Sequence, residues 1–194
     1  MNDQPRLLCF AGSARQDSLN KRLARLAASR ARQYDADVSF LDLADYPMPL
    51  YHGDLEAREG LPEAARTLKG LFCDCDGFLI AAPEYNSSLT PLLKNTLDWI
   101  SRREHPDEPR LSAYRGKVAA LCAASGGATG GQRGLVALRM MLGNIGVHVL
   151  PQQLSVPHAA EAFDAQGELI DDQRSQILDT LIAEWIRVSR ALRG

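Results

Sequence analysis

Five short apolar runs alternate with segments of helical periodicity along this chain, and that alternation restricts its fold more than any other feature. The runs at 6–12, 77–83 and 117–125 are apolar almost throughout, which is typical of strands buried on both faces. The run at 37–43 alternates apolar and polar residues as an edge strand does, and a short run at 147–151 is the fifth. The pattern predicts a parallel sheet covered by helices on both faces.

The periodic segments between these runs predict the connecting helices. The expected helices cover 19–34, 62–73, 91–101, 132–142 and 171–192. Because parallel crossovers are right-handed, few windings remain, and we expect a flavodoxin-like three-layer α/β/α sandwich whose five-stranded parallel sheet has the order 2-1-3-4-5. Residues 44–61 are rich in Pro, Gly and charge, so we expect a long loop there.

Size and charge exclude several classes of protein. With 194 residues, of which 45% are hydrophobic and 24% charged, the chain suits a single domain over 1–194. A formal net charge of -2 does not favour a nucleic acid partner. The first residues do not resemble a signal peptide, and no stretch approaches the roughly 20 apolar residues of a membrane span. We therefore expect a cytoplasmic protein without a membrane segment.

The four cysteines do not indicate a disulfide framework or a metal centre. Cys9 and Cys122 lie within apolar runs and are expected to pack in the core. Cys73 and Cys75 form a Cys-x-Cys pair that could bind a soft metal, but the chain lacks a second pair of ligands at zinc-site spacing. We expect no metal.

Polar loops are expected where ligands bind in such a fold, at the carboxyl ends of the strands. The first, "GSARQDSLN" at 12–20, combines two hydroxyls, a guanidinium and an amide at Ser13, Ser18, Arg15 and Asn20. These donors, together with the amino terminus of the following helix, suit a phosphate. The loop matches neither the Walker nor the dinucleotide glycine pattern. Alternatively, Ser18 only caps a helix and Arg15 is solvated.

Two further loops follow the third and fourth strands. The sequence "PEYNSS" after the third strand contains turn residues that expose backbone N–H groups toward the expected crevice. The sequence "SGGATGGQRG" after the fourth offers glycines that permit close approach of a ligand, or else forms only a flexible turn. Because three specialised loops converge on one crevice, the sequence predicts a phosphorylated heterocyclic ligand.

These loops resemble motifs of the NADPH-dependent FMN reductase family, which includes quinone, chromate and azo-dye reductases. "GSARQDSLN" resembles its Gly-Ser-x-Arg-x-x-Ser-x-Asn signature, "PEYNSSLTPLLKNTLDW" its Pro-Glu-Tyr-Asn-x-Ser element, and "LRMMLGNIGVHVLP" its later helix and strand. The resemblance spans nearly the whole chain. The sequence departs from the common pattern at Ser87, Thr90 and Pro91, where Gly, Pro and Gly are frequent.

The resemblance also implies which residues hold the cofactor. The FMN phosphate would lie on Ser13, Arg15, Ser18 and Asn20. The isoalloxazine and ribityl chain would lie along Pro83, Glu84, Tyr85 and Asn86, and the third side would be Ser125 with Gly126 or Gly127.

The implied activity is that of an FMN-dependent NAD(P)H oxidoreductase. NADPH or NADH would supply a hydride that reaches a quinone or a similar small-molecule acceptor by way of FMN. No catalytic acid or base is required, and we expect Glu84 to accept hydrogen bonds that hold its loop. The alternatives are a non-catalytic FMN-binding electron carrier or regulatory module, or a scaffold that has lost flavin. The family resemblance also implies a homodimer or homotetramer, for which the helices at 91–101 and 133–142 are candidates, unless they only cover the sheet.

Overall fold

Parallel strands form the main sheet of the computed structural model, which describes residues 4–193. The strands are β1 (Arg6–Ala11), β2 (Asp37–Leu41), β3 (Gly77–Ala81), β4 (Glu84–Tyr85), β5 (Ser88–Leu89), β6 (Val118–Ala124) and β7 (His148–Val156). The main sheet has the order β2-β1-β3-β6-β7, while β4 and β5 form a separate antiparallel hairpin. Numbered within the main sheet, the order is 2-1-3-4-5, which confirms the prediction.

Helices cover both faces of this sheet. They are α1 (Leu19–Ala31), α2 (Gly53–Glu59), α3 (Glu63–Asp74), α4 (Pro91–Ile100), α5 (Gln132–Asn144) and α6 (Asp172–Ala191). One core lies between the sheet and α1 with α6, and the other between the sheet and α3, α4 and α5. Alternate side chains of a strand enter opposite cores, so Cys9 faces the first and Phe10 the second.

Burial along the strands follows the apolar patterns. All residues of β3 and β6 are buried, whereas the edge strand β2 alternates exposed and buried residues. Cys9 and Cys122 are fully buried, as expected, and burial raises the pKa of the Cys9 thiol to about 12. Among residues 4–193, no helix is both long and apolar enough to cross a membrane.

The expectation of a long loop at 44–61 is wrong in part. A 3-10 turn spans Leu43–Asp45, and α2 occupies Gly53–Glu59. The helix is capped by His52, whose Nδ1 accepts a hydrogen bond from the Leu55 N–H at 3.3 Å. Histidine is not a preferred capping residue, so the sequence only weakly indicates that a helix begins after His52.

The segment between α4 and β6 is irregular, as expected, but it is anchored. Tyr114 is fully buried and donates its hydroxyl hydrogen to the Leu97 carbonyl at 2.7 Å. The Glu108 carboxylate accepts from Lys69, at 2.6 Å, and from the Ser112 hydroxyl. Burial alone would raise the pKa of Glu108, but these hydrogen bonds and the Lys69 charge hold it at about 2.

Candidate functional site

Three loops meet at the carboxyl edge of the sheet, where they follow β1, β3 and β6. We call them the first loop (12–18), the second loop (82–90) and the third loop (125–131). Gly12 of the first loop donates its N–H to the carbonyl of Ala81, the last residue of β3, at 3.0 Å, and its carbonyl accepts from the hydroxyl of Thr90 in the second loop at 2.6 Å. The first and second loops are therefore held side by side at this edge.

The first loop presents hydroxyl and guanidinium donors at the amino terminus of α1. Ser18 is buried and caps the helix, because its Oγ accepts from the Lys21 N–H at 3.3 Å. The Ser13 Oγ accepts from the Arg15 N–H at 3.2 Å. A hydroxyl that accepts a hydrogen bond still has its proton to donate. The Arg15 side chain is exposed and uses Nη2 to bond the Asp17 carbonyl at 2.7 Å, which leaves other N–H donors for an anion.

Asn20 lies beneath the loops rather than on their surface. Its side chain is buried, its Nδ2 donates to the Ala124 carbonyl at 2.8 Å, and its Oδ1 accepts from the Ala124 N–H at 2.9 Å. Both ends of the amide are thus bonded to the last residue of β6. In this structure Asn20 holds α1 and the first loop against the start of the third loop.

The second loop is built on the tight hairpin between β4 and β5. Asn86 and Ser87 have φ values of 51° and 64°, the positive values that a type I′ turn requires at both central positions. Glycine is favoured at the second of these positions, so Ser87 holds a left-handed conformation that costs about 1 kcal/mol. Tyr85, just before the turn, is 58% exposed. The hairpin therefore carries an exposed aromatic ring next to a strained turn.

Glu84 connects the second loop to α5. The helix is capped by Gly131, which has no side chain to satisfy its first N–H groups, and the Glu84 Oε2 instead accepts from the Gly134 N–H at 2.9 Å. A carboxylate also interacts favourably with the positive end of the helix dipole. The expectation that Glu84 accepts a hydrogen bond is confirmed, although the donor belongs to α5 and not to its own loop.

Thr90 is a linking residue whose role the sequence does not reveal. It caps α4, since its Oγ1 accepts from the Leu93 N–H at 3.2 Å while donating to Gly12. Pro91 follows at the first helical position, where its missing N–H has no cost. A proline at position 90, which is frequent in the family that the motifs resemble, could make neither hydrogen bond. The departure from that pattern at Thr90 is the sequence feature that marks this residue.

The glycines of the third loop serve two different purposes. Gly130 and Gly131 have positive φ values, and an added Cβ would lie 2.7 Å from the Pro157 nitrogen at the first and 2.8 Å from the Ala123 Cβ at the second. These two glycines are required by the chain itself. At Gly126 an added Cβ would meet nothing within 4 Å, and at Gly127 it would meet only the Ser125 Oγ at 3.7 Å. The space beside Gly126 and Gly127 is therefore open.

Chemically, the three loops fit a phosphorylated ligand better than a metal. The donors of the first loop, the amino terminus of α1 and the open backbone of the third loop are what a phosphate with an attached flat group requires. Within residues 4–193 no group of three or more His, Cys, Asp and Glu side chains is placed to hold a metal ion. A cavity of about 730 Å³ lies elsewhere, between the end of α4 and Arg115, and none of the loop residues lines it.

Comparison with known proteins shows the family to which this chain belongs. The model of the NADPH-dependent FMN reductase family matches residues 5–161. This is more than half of the chain, and the chain belongs to that family. Membership confirms the resemblance of the three motifs, the oxidoreductase class, and FMN with NAD(P)H as its cofactors.

Individual relatives match this chain over nearly their whole length. The chain is 33% identical to a 2-hydroxy-1,4-benzoquinone reductase from Burkholderia sp, with 95% of this chain and 98% of the relative covered. It is 34% identical to an NAD(P)H-dependent FMN reductase from Pseudomonas aeruginosa, with 100% of each covered. Among solved structures, a flavoenzyme NAD(P)H:(acceptor) oxidoreductase from Paracoccus denitrificans has a TM-score of 0.78 at 26% identity, with 96% of this chain and 98% of that chain covered.

Proposed function

We propose that this chain transfers a hydride from NADPH or NADH, by way of FMN bound at the three loops, to a quinone. The observation that carries the proposal is the junction of the first and second loops through Gly12 and Thr90 at the switch point of the sheet. Family membership supports the cofactors, and the names of the relatives, several of which are quinone reductases, support the acceptor.

The phosphate of FMN is assigned to the first loop. Ser13 and Ser18 would donate their hydroxyl hydrogens, and Arg15 would add a charge-assisted contact from its exposed guanidinium. Asn20, included with them by the family resemblance, supports this loop from below through Ala124.

The flat part of the cofactor is assigned to the second and third loops. Pro83, Glu84, Tyr85 and Asn86 would form one wall, and Ser125 with Gly126 or Gly127 would form the other. The exposed ring of Tyr85 and the open space at the two glycines support this assignment.

When bound, FMN supplies the redox chemistry, because it can accept a hydride and pass electrons on. The residues of the chain orient it. Glu84 has its carboxylate engaged with the Gly134 N–H, so its role is to hold the second loop against α5 rather than to move a proton. The protein part of the mechanism is therefore binding and placement.

An anaerobic titration separates this function from that of an electron carrier or a regulatory module. Purified protein loaded with FMN is mixed with NADPH, and in a parallel sample with NADH, while the flavin absorbance near 450 nm is followed. Rapid bleaching that is reversed by adding 1,4-benzoquinone supports the proposal. Bound FMN that neither nicotinamide bleaches would establish a carrier or a regulatory module instead.

A homodimer or homotetramer is also proposed, with α5 at the contact. Val136 and Met140 are 62% and 67% exposed and lie one turn apart on the same face of α5. By contrast, Leu93, Leu97 and Ile100 of α4 are buried within the chain. The mass in solution, measured by light scattering for the wild type and for Met140→Lys, tests whether this face pairs.

We also propose the number of domains and the cellular compartment of the protein. Both helical layers pack against the same sheet, which supports a single FMN-binding domain over 1–194. The four cysteines are free thiols, as in a reducing compartment, which supports a cytoplasmic location.

A further inference from the structure

A buried lysine lies beneath the first loop, and neither packing nor the proposed chemistry accounts for it. Lys21 is in the first turn of α1 and is only 3% exposed. Its Nζ is 2.7 Å from the Asp42 Oδ1 and donates to the Ala14 carbonyl at 3.3 Å. Ala14 is the residue between Ser13 and Arg15, so the ammonium group is bonded directly to the loop assigned to the phosphate.

Stability alone does not explain the presence of this charge. Removing an ammonium and a carboxylate from water has an energetic cost, and a well-packed apolar pair of similar volume is often as stable or more stable. Lys21 itself is 3% exposed, although lysine is among the residues that are almost never fully buried unless paired. A role in holding particular atoms in place is the remaining explanation.

The atoms held are those of the Ala14–Arg15 peptide. In a planar trans peptide, the carbonyl oxygen and the following N–H point in opposite directions. Because Lys21 holds the Ala14 carbonyl toward the interior, the Arg15 N–H points away from the interior, where it meets the Ser13 Oγ at 3.2 Å. One hydrogen bond from Lys21 thus sets the direction of the Arg15 N–H, which holds the Ser13 Oγ and leaves the Ser13 hydroxyl hydrogen to be donated.

The lysine is itself fixed from the other side by Asp42. This carboxylate follows β2, accepts from the Ala44 N–H at 3.0 Å and lies 3.7 Å from Arg25. Burial alone would raise the pKa of Asp42, but the hydrogen bonds from Lys21 and Ala44 and the nearby positive charges lower it below its usual range. Asp42 therefore stays ionised at neutral pH and keeps the ammonium in position.

We propose that Lys21 is a positioning residue for the phosphate group of the flavin: it fixes the Ala14–Arg15 peptide, whose Arg15 N–H bonds the Ser13 Oγ, and so orients the Ser13 hydroxyl toward the phosphate. This inference rests on the proposed function, since it requires that FMN binds with its phosphate at the first loop. It predicts that Lys21 contributes to recognition of the phosphate and not to recognition of the ring.

The chain contains a matched control. Lys69 is 5% exposed, donates to the Arg102 carbonyl at 2.5 Å and pairs with Glu108. Like Lys21, it is a buried ammonium shared between a carboxylate and a main-chain carbonyl. Both partners lie outside the three loops, so Lys69→Met removes a similar ammonium–carboxylate pair away from the proposed phosphate site.

The experiment compares FMN with riboflavin, which has the same ring and ribityl chain but no phosphate. Dissociation constants of both are measured by flavin fluorescence for the wild type, Lys21→Met and Lys69→Met. In Lys21→Met the preference for FMN over riboflavin should fall about tenfold, the loss expected for one hydrogen bond to a charged group. In Lys69→Met the preference should stay within about twofold of the wild type, even if its thermal stability falls.

An unchanged preference in folded Lys21→Met would overturn the inference. If circular dichroism shows that this variant is unfolded at the assay temperature, the same ratio is measured for Lys21→Gln, whose neutral side chain is polar and tolerates the site better. A loss of preference in Lys69→Met equal to that in Lys21→Met would also overturn it. Failure of the proposed function is a different result, in which the wild type binds no flavin or binds FMN no more tightly than riboflavin.

Discussion

Replacing Asn20 with alanine should destabilise the protein even when no cofactor is present. The change removes both hydrogen bonds to Ala124, which is 4% exposed, and leaves its N–H and carbonyl without those partners. Each unsatisfied backbone group costs about 1–3 kcal/mol. The two groups together would cost about 2–6 kcal/mol, and because water can reach the nearby loops we expect a loss of about 3 kcal/mol in the free energy of unfolding. For a domain of this size, that loss lowers Tm by about 6–12 °C.

The assay is urea and thermal unfolding of cofactor-free protein, with Ser13→Ala as the control. Ser13 makes its hydrogen bond within the first loop, so its removal should change the free energy of unfolding by less than about 0.5 kcal/mol. If Asn20→Ala unfolds like the wild type without cofactor but binds FMN more weakly, Asn20 acts on the ligand directly and the supporting role is refuted.

Other substitutions test the turn at Ser87, the junction of the first and second loops, and the partly buried carboxylate of Glu108. Ser87→Gly should stabilise the protein by about 0.5–1 kcal/mol in urea unfolding, because Ser87 holds a φ of 64°; a loss of stability would contradict the strain at this turn. Thr90→Val keeps the shape but removes the cap of α4 and the bond to Gly12, so it should cost about 1–2 kcal/mol, while Thr90→Ser should stay near the wild type. The pKa of Glu108 is about 2 against an ordinary 4.5, so its contribution to stability is full above pH 4.5 and is lost as the pH falls toward 2. The stability difference between wild type and Glu108→Gln, measured by urea unfolding at several pH values, should therefore shrink over that range, and a difference independent of pH would count against the Lys69 pairing.

The sheet could be predicted because its determinants are local. Strands buried on both faces require continuous apolar runs, and the right-handed crossover leaves few orders for five of them. The same reasoning predicts that the loops after β1, β3 and β6 lie at one edge, because parallel strands end there. Periodicity also located α3 and α4, whose starts are marked by Pro62 and Pro91.

The contacts within the site could not be predicted, because the partners are distant in the chain. Asn20 bonds Ala124, which is 104 positions away, and Glu84 bonds Gly134, which is 50 positions away. Sequence patterns identify residues suited to hydrogen bonding but not which partner the fold supplies. Lys21 is a further example, since a lysine in a first helical turn is normally expected at the surface.

Fluorescence titration of cofactor-free protein with FMN tests whether FMN binds at the three loops with its phosphate on the first loop. We expect one FMN per chain, and an affinity about tenfold lower in Arg15→Ala, which lacks one charge-assisted contact. Arg58→Ala, which removes an exposed guanidinium bonded to Glu59, should bind FMN as the wild type does. Absence of binding, or equal affinity in Arg15→Ala and the wild type, would show that the phosphate does not lie on the first loop.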